Sequence, residues 1–237
     1  MSESFDVKGF WEAKIIEWEE SRYREENPAP TLLELIAGRI STSLRFRVRA
    51  AVHQLTPVVA GRHVVELGCG SGILAQALCA AGAESYLGVD ISENAVQVAQ
   101  ARVETSPHAG KIRFQAGSVD QITSTGDAIV FSLGLFDWLT DAEIRHVLSL
   151  SRFGSYYHAV AERQKNLTQL IHRLYVHVSY GHRTGGYVPQ YHSVRQMRDI
   201  LAELEMPSPN VVRHPAMRFG IVVTDLDLPE IPNDLAK

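Results

Sequence analysis

From His63 onward the chain alternates wholly apolar segments with amphipathic ones, and this restricts the fold more than any other feature. "HVVELGC" (63–69), "ESYLGVD" (84–90), "KIRFQAGSV" (111–119), "DAIVFSLG" (127–134) and "GSYYHAVAE" (154–162) read as strands. Between them, "SGILAQALCAAG" (71–82), "ENAVQVAQARVE" after Ser92, and "DAEIRHVLSL" after Thr140 read as helices. Ser92 suits an N-cap, and Thr140 with Glu143 forms a capping box. Strands apolar along their whole length are covered on both faces, so the pattern predicts a parallel α/β sheet. "NVVRHP" (210–215) and "RFGIVVTDL" (218–226) are joined by Ala216 and Met217 alone. A link that short cannot be a parallel crossover, so these two strands should pair antiparallel.

Two segments stand outside the alternation. Ahead of it, residues 10–25 carry Trp11, Ile15 and Trp18 at helical spacing, and Thr31 with Glu34 is a capping box opening a helix that stops before Pro57. After the fifth strand, 166–180 reads as helix and 181–192 as a Gly- and Pro-punctuated loop, before Ser193 and Gln196 open "VRQMRDILAEL". The expected organisation is a helical cap over 1–57 and a main domain over 58–237, with 163–192 as a lid-like insertion.

The 237 residues carry a formal net charge of −4, unevenly placed. Residues 1–27 hold eight acids against Lys8, Lys14, Arg22 and Arg24. Residues 158–198 hold six arginines and lysines against Glu162, with five of the ten histidines. A basic, His-rich segment could receive an anionic substrate. Overall acidity argues against a nucleic-acid partner. The acidic N-terminus lacks the apolar core of a secretory signal, and no run of about 18 apolar residues is present to span a membrane. Cys69 and Cys79 read as buried thiols, and a cytoplasmic setting is the expectation.

The chemistry-bearing stretch is "VVELGCGSG" (64–72). Strand, glycine turn and helix place it at the carboxyl end of the first strand, where open α/β sheets bind ligands. The dinucleotide fingerprint G-x-G-x-x-G is not met: after Gly68 and Gly70 the third glycine, Gly72, comes one residue early. Glu66, two residues before the first glycine, would repel a pyrophosphate and suits a ligand with a cationic ammonium. Asp90, 22 residues after Gly68, ends the second strand, where a carboxylate accepts hydrogen bonds from ribose hydroxyls. These features describe a nucleoside with an amino-acid tail.

On "VVELGCGSG", "LGVDIS" (87–92), "FQAGSV" (114–119), "DAIVFSLGLFDWL" (127–139) and the reversed last strand, the sequence resembles the class I S-adenosylmethionine-dependent methyltransferases of small-molecule type, over roughly residues 60–226. The resemblance implies a Rossmann-like doubly wound seven-stranded sheet of order 3-2-1-4-5-7-6, last strand antiparallel, with N-terminal helices and a helical insertion after strand five. It implies S-adenosyl-L-methionine as cofactor and S-adenosyl-L-homocysteine as product. Glu66, Gly68, Gly70 and Gly72 would line the methionine end, Asp90 the ribose, Ile91 the adenine face, and Ser118 and Val119 the adenine edge. Leu133 and Gly134 would sit beside the sulfonium. Many relatives carry an aspartate where Ser118 stands.

The acceptor is less legible. The "NPPY"-type tetrapeptide of base- or glutamine-modifying enzymes is replaced by "SLGLFDWL" (132–139), which disfavours methylation of nucleic-acid amines. Asp137 has no second acidic ligand nearby, so no metal is expected. Oxygen and nitrogen acceptors often need a base; the candidates are His182, His158 and Glu162. Candidate substrate contacts are Trp11, Trp18 and Tyr23 from the first helix, Phe136, and Arg163, Arg173, Tyr180, Arg183, Tyr187 and Tyr191 after strand five. The expected function is methylation of an O or N atom of a small metabolite, such as a natural-product or sugar intermediate that could carry an anionic group, by a monomer or homodimer. The competing readings are an NAD-linked oxidoreductase and a non-catalytic cofactor-binding partner protein.

Overall fold

The computed structural model describes residues 6–13, 15, 45–164, 169 and 190–236. The expected helix over 166–180 and loop over 181–192 lie almost wholly outside these residues, as do 16–44.

Seven strands form one sheet of order β3-β2-β1-β4-β5-β7-β6. They are β1 (His63–Leu67), β2 (Ser85–Asp90), β3 (Ile112–Ala116), β4 (Ile129–Leu133), β5 (Ser155–Ala161), β6 (Asn210–Arg213) and β7 (Gly220–Thr224). β1 to β5 pair parallel, and β7 runs antiparallel to both β5 and β6. This is the expected order and direction. The link between β6 and β7 spans residues 214–219 and contains a 3-10 turn, Pro215–Met217; it is longer than the two residues expected but still too short for a parallel crossover.

The helices are α1 (residues 7–13), α2 (residues 45–55), α3 (Ala75–Ala80), α4 (Glu93–Val103), α5 (Asp141–Leu150) and α6 (Val194–Glu203). Local chemistry starts them. Asp6 accepts the Gly9 amide at 2.9 Å ahead of α1. Ser92 accepts the Ala95 amide at 3.0 Å, and Thr140 with Glu143 makes the reciprocal capping box of α5. Only half of the third box forms. Ser193 accepts the Gln196 amide, but the Gln196 side chain turns to Asp141 instead.

Strand alternation divides the core in two. On one face Val64, Ile129, Phe131, Tyr157 and Val222 pack with Phe46, Ala50 and Leu55 of α2 and Leu78 of α3. On the other Val65, Leu67, Val130, Val160 and Val223 pack with Ile144 and Leu148 of α5 and Met197 and Leu201 of α6. Both cysteines are buried thiols. No helix among the described residues is long and apolar enough to cross a membrane.

The predicted strand of 63–69 stops at Leu67, and the predicted helix of 71–82 begins only at Ala75. The glycines explain both differences. Gly68, Gly70 and Gly72 have φ of 72°, 51° and 67°, a left-handed conformation that ends a strand and delays a right-handed helix. The freed residues become a loop at the carboxyl edge of the sheet.

Candidate active site

The loop is held by backbone on one side and a carboxylate on the other. The amides of Gly68 and Cys69 both donate to the Val89 carbonyl, at 2.8 and 3.1 Å. The Gly70 amide donates to Asp90 Oδ2 at 2.8 Å, and the Ser92 amide to Asp90 Oδ1 at 3.0 Å. Each Asp90 oxygen therefore keeps lone-pair capacity for a ligand hydroxyl. Asp90 is 7% exposed; burial raises its pKa, the Ser92, Gly70 and Ile91 amides work against that, and the charge of Glu12 raises it further.

Glu66, the penultimate residue of β1, lies one strand away and is 3% exposed. It accepts the Tyr86 hydroxyl. Burial, then the Glu66 charge, push that phenol well above its usual range, so Tyr86 stays a donor. Two buried carboxylates at the ends of adjacent strands suit a ligand with hydroxyls and a positive charge, and oppose a pyrophosphate.

Gly72 serves packing: a Cβ there would stand 2.5 Å from the Phe114 ring. At Gly134, with φ of 80°, a Cβ would meet nothing within 4 Å, so the end of β4 opens on space. Leu133 ends β4, next to β1 in the sheet, and Gly134 follows it. Ile91 is partly exposed beside Asp90, and Val119 is buried. The Ser118 amide donates to the Gln121 side chain at 3.2 Å. These features fit an S-adenosyl nucleoside.

On the acceptor side, two expectations are corrected. His158 is fully buried. Its Nδ1 pairs with Ser132 Oγ at 2.9 Å, its Nε2 has no partner, and burial pushes its pKa down to about 3. It lies inside the core between Phe136 and Tyr156, at centroid distances of 4.7 and 5.9 Å, and not as a base at the crevice. Phe136, also fully buried, packs against His158 and His192 and does not wall a pocket. Alternation alone misled here, because both faces of β5 are covered.

Glu162 is engaged by Arg213, whose Nη2 reaches Oε1 at 2.5 Å. The exposed Arg163 donates through Nε to the Tyr191 carbonyl at 3.2 Å, and Tyr191 is buried with its ring 6.1 Å from Phe219. Trp11 packs edge-on against Trp138 at 4.8 Å. His182, Trp18, Tyr23, Arg173, Tyr180, Arg183 and Tyr187 lie outside the described residues.

The structure brings forward residues that the sequence did not single out as acid–base groups. Asp137 follows β4 in a 3-10 turn, Phe136–Trp138. The Ala161 amide donates to its Oδ1 at 3.1 Å. Burial raises its pKa to about 6, against the charges of Arg47 and His192 and the Ala161 amide, which lower it. His192 donates from Nε2 to the Phe136 carbonyl at 2.9 Å, and its buried Nδ1 has no partner. An acid inside the apolar run "LFDWL" was the only signal available for this cluster.

Sheet order and glycine loop together define a Rossmann-like doubly wound fold. The "Methyltransferase domain" family model matches residues 64–152. Ubiquinone biosynthesis O-methyltransferase of Thiobacillus denitrificans is 38% identical over 91 residues, 38% of this chain and 35% of that protein. Ribosomal protein L11 methyltransferase of Alkaliphilus metalliredigens is 28% identical over 119 residues, 49% of this chain and 37% of that protein. The matches span between 1% and 37% of the curated relatives' own length. Magnesium protoporphyrin IX methyltransferase from Synechocystis PCC 6803, solved with bound SAH, superposes with a TM-score of 0.68 at 20% identity, over 92% of this chain and 96% of that one. That likeness establishes the fold.

Proposed function

We propose that the protein is an S-adenosylmethionine-dependent methyltransferase that methylates an oxygen or nitrogen of a small metabolite and releases S-adenosylhomocysteine. One observation carries the reading: Asp90 is pinned by the Gly70 amide, one strand from the buried carboxylate of Glu66, at the head of the crevice. The cofactor supplies an electrophilic methyl on a sulfonium. The chain's part is to hold the donor, align the acceptor and exclude water.

Asp137 is the acceptor-side base in this reading. Its Oδ1 is fixed by the Ala161 amide, its Oδ2 has no hydrogen-bond partner among the described residues, and a pKa of about 6 suits it to take a proton near neutral pH. Glu162 is less suited, since Arg213 neutralises it. His182 remains a second candidate. The ubiquinone relative is named for O-methylation and supports an oxygen acceptor. The basic stretch after β5 supports an acceptor with an anionic group.

The test is transfer of labelled methyl from S-adenosylmethionine into a fractionated metabolite extract. A labelled small molecule that depends on Asp90 supports the reading. Label appearing only in protein or nucleic acid contradicts the acceptor class.

A further inference from the structure

The mechanism above leaves α1 unused, yet this helix touches both walls of the crevice. Lys8 and Glu12, four residues apart, share one helix face. Glu12 accepts the Glu93 amide through Oε2 at 2.7 Å and the Asn94 amide through Oε1 at 2.9 Å, and Lys8 pairs with the Glu93 carboxylate at 3.1 Å. This face grips the first turn of α4, directly after Asp90. Phe10 and Trp11 point elsewhere, onto Trp138 after β4, with centroids 5.8 and 4.8 Å away.

In the sheet β2 and β4 flank β1 on either side. A helix anchored after both must pass over the end of β1, where the loop Gly68–Gly72 begins. The span agrees: two strand spacings are roughly 9.5 Å, and a helix with its side chains is about 10–12 Å across, so its Lys8/Glu12 and Phe10/Trp11 sides reach the two anchors. The Glu12 carboxylate also lies close enough to Asp90 to act on its titration. Ser92 caps α4 from within, so Glu12 occupies amides that the helix itself leaves open.

We propose that α1 is a latch across the cofactor crevice and that Glu12 is the positioning residue that holds it shut, setting how fast the S-adenosyl nucleoside leaves. The inference rests on the cofactor assignment above. When Glu12 lets go of the α4 amides, α1 loses its two backbone contacts beside Asp90, and the ligand can escape past that side. While it holds, the ligand is enclosed by the loop, Asp90 and α1.

The experiment follows S-adenosylhomocysteine association and dissociation on the full chain, for the wild type, Glu12→Gln, Glu12→Asp and Trp138→Leu. Glu12→Gln should speed dissociation about tenfold, the scale of losing a charged helix-end contact, while association changes less. Glu12→Asp should restore part of the slow dissociation, and Trp138→Leu, which frees the other anchor, should also speed it. Hydrogen exchange at the Glu93 and Asn94 amides should quicken in Glu12→Gln while the β-sheet amides keep wild-type protection, a local opening that unfolding would not produce. Wild-type binding with dissociation unchanged in both Glu12→Gln and Trp138→Leu would overturn the latch alone. Failure of the wild type to bind would overturn the cofactor assignment and the latch with it.

Discussion

The carboxylate of Asp90 accepts the backbone amide of Gly70 at 2.8 Å, across twenty positions of sequence. The contact ties the end of β2 to the glycine loop after β1, so one side chain shapes the loop and, in the proposed function, also meets the ligand. Asp90→Asn keeps the size but places an amide where two backbone donors converge. S-adenosylhomocysteine affinity should fall roughly 10- to 100-fold, the scale of a charge-assisted hydrogen bond. Isothermal titration checks it, and unchanged affinity would remove Asp90 from the site.

Gly72 makes a separate, steric prediction. Its φ is 67°, and an added Cβ would stand 2.5 Å from Phe114. Gly72→Ala should destabilise the fold by about 1–3 kcal/mol through backbone strain and overpacking. Adding Phe114→Leu should recover the overpacking part and leave the backbone part. Urea unfolding of the single and double variants separates the two.

His158 gives the fold a pH dependence with a defined sign. Its folded pKa of about 3 lies below the usual 6.5, so the unfolded chain takes up the proton first as the pH falls. Stability is therefore full above about pH 6.5 and is lost progressively down to about pH 3. A Ser132→Ala, His158→Phe variant removes the titrating ring together with its partner. Its unfolding free energy should vary less steeply with pH over that window, by at most one proton's worth, about 1.4 kcal/mol per pH unit. An unchanged slope would mean that His158 titrates normally.

Asp137 acts with the opposite sign. Its folded pKa of about 6 lies above the usual 3.8, so the native state favours the protonated form, and that contribution is lost as the pH rises through about 6. Asp137→Asn should flatten this loss. In turnover, the same variant should leave S-adenosylhomocysteine binding within about twofold and lower kcat roughly 100-fold, with the acid limb near pH 6 gone from the rate profile. Retention of that limb would place the base elsewhere.

The cofactor half of the protein was legible because its chemistry is local in sequence. Glu66, Gly68, Gly70 and Gly72 lie within seven residues, and Asp90 follows by a fixed strand–turn–helix unit, so spacing carried the geometry. The final hairpin was legible for a similar reason: a link of only a few residues permits only one strand direction. What was not legible, on either side, depends on packing between distant segments. Tyr86 reaching Glu66, Glu12 reaching the α4 amides and Arg47 acting on Asp137 have no local pattern. His158 showed the limit from the other direction: alternation placed it correctly on one face of β5, but only the covering of that face made it an interior residue.

A competitive titration tests the central claim most directly. S-adenosylhomocysteine, S-adenosylmethionine and NAD are each titrated into the wild type and Asp90→Asn. The account predicts saturable one-site binding of both S-adenosyl ligands, mutually exclusive and weakened in Asp90→Asn, with no competition from NAD. Tight NAD binding without any S-adenosyl binding would contradict it.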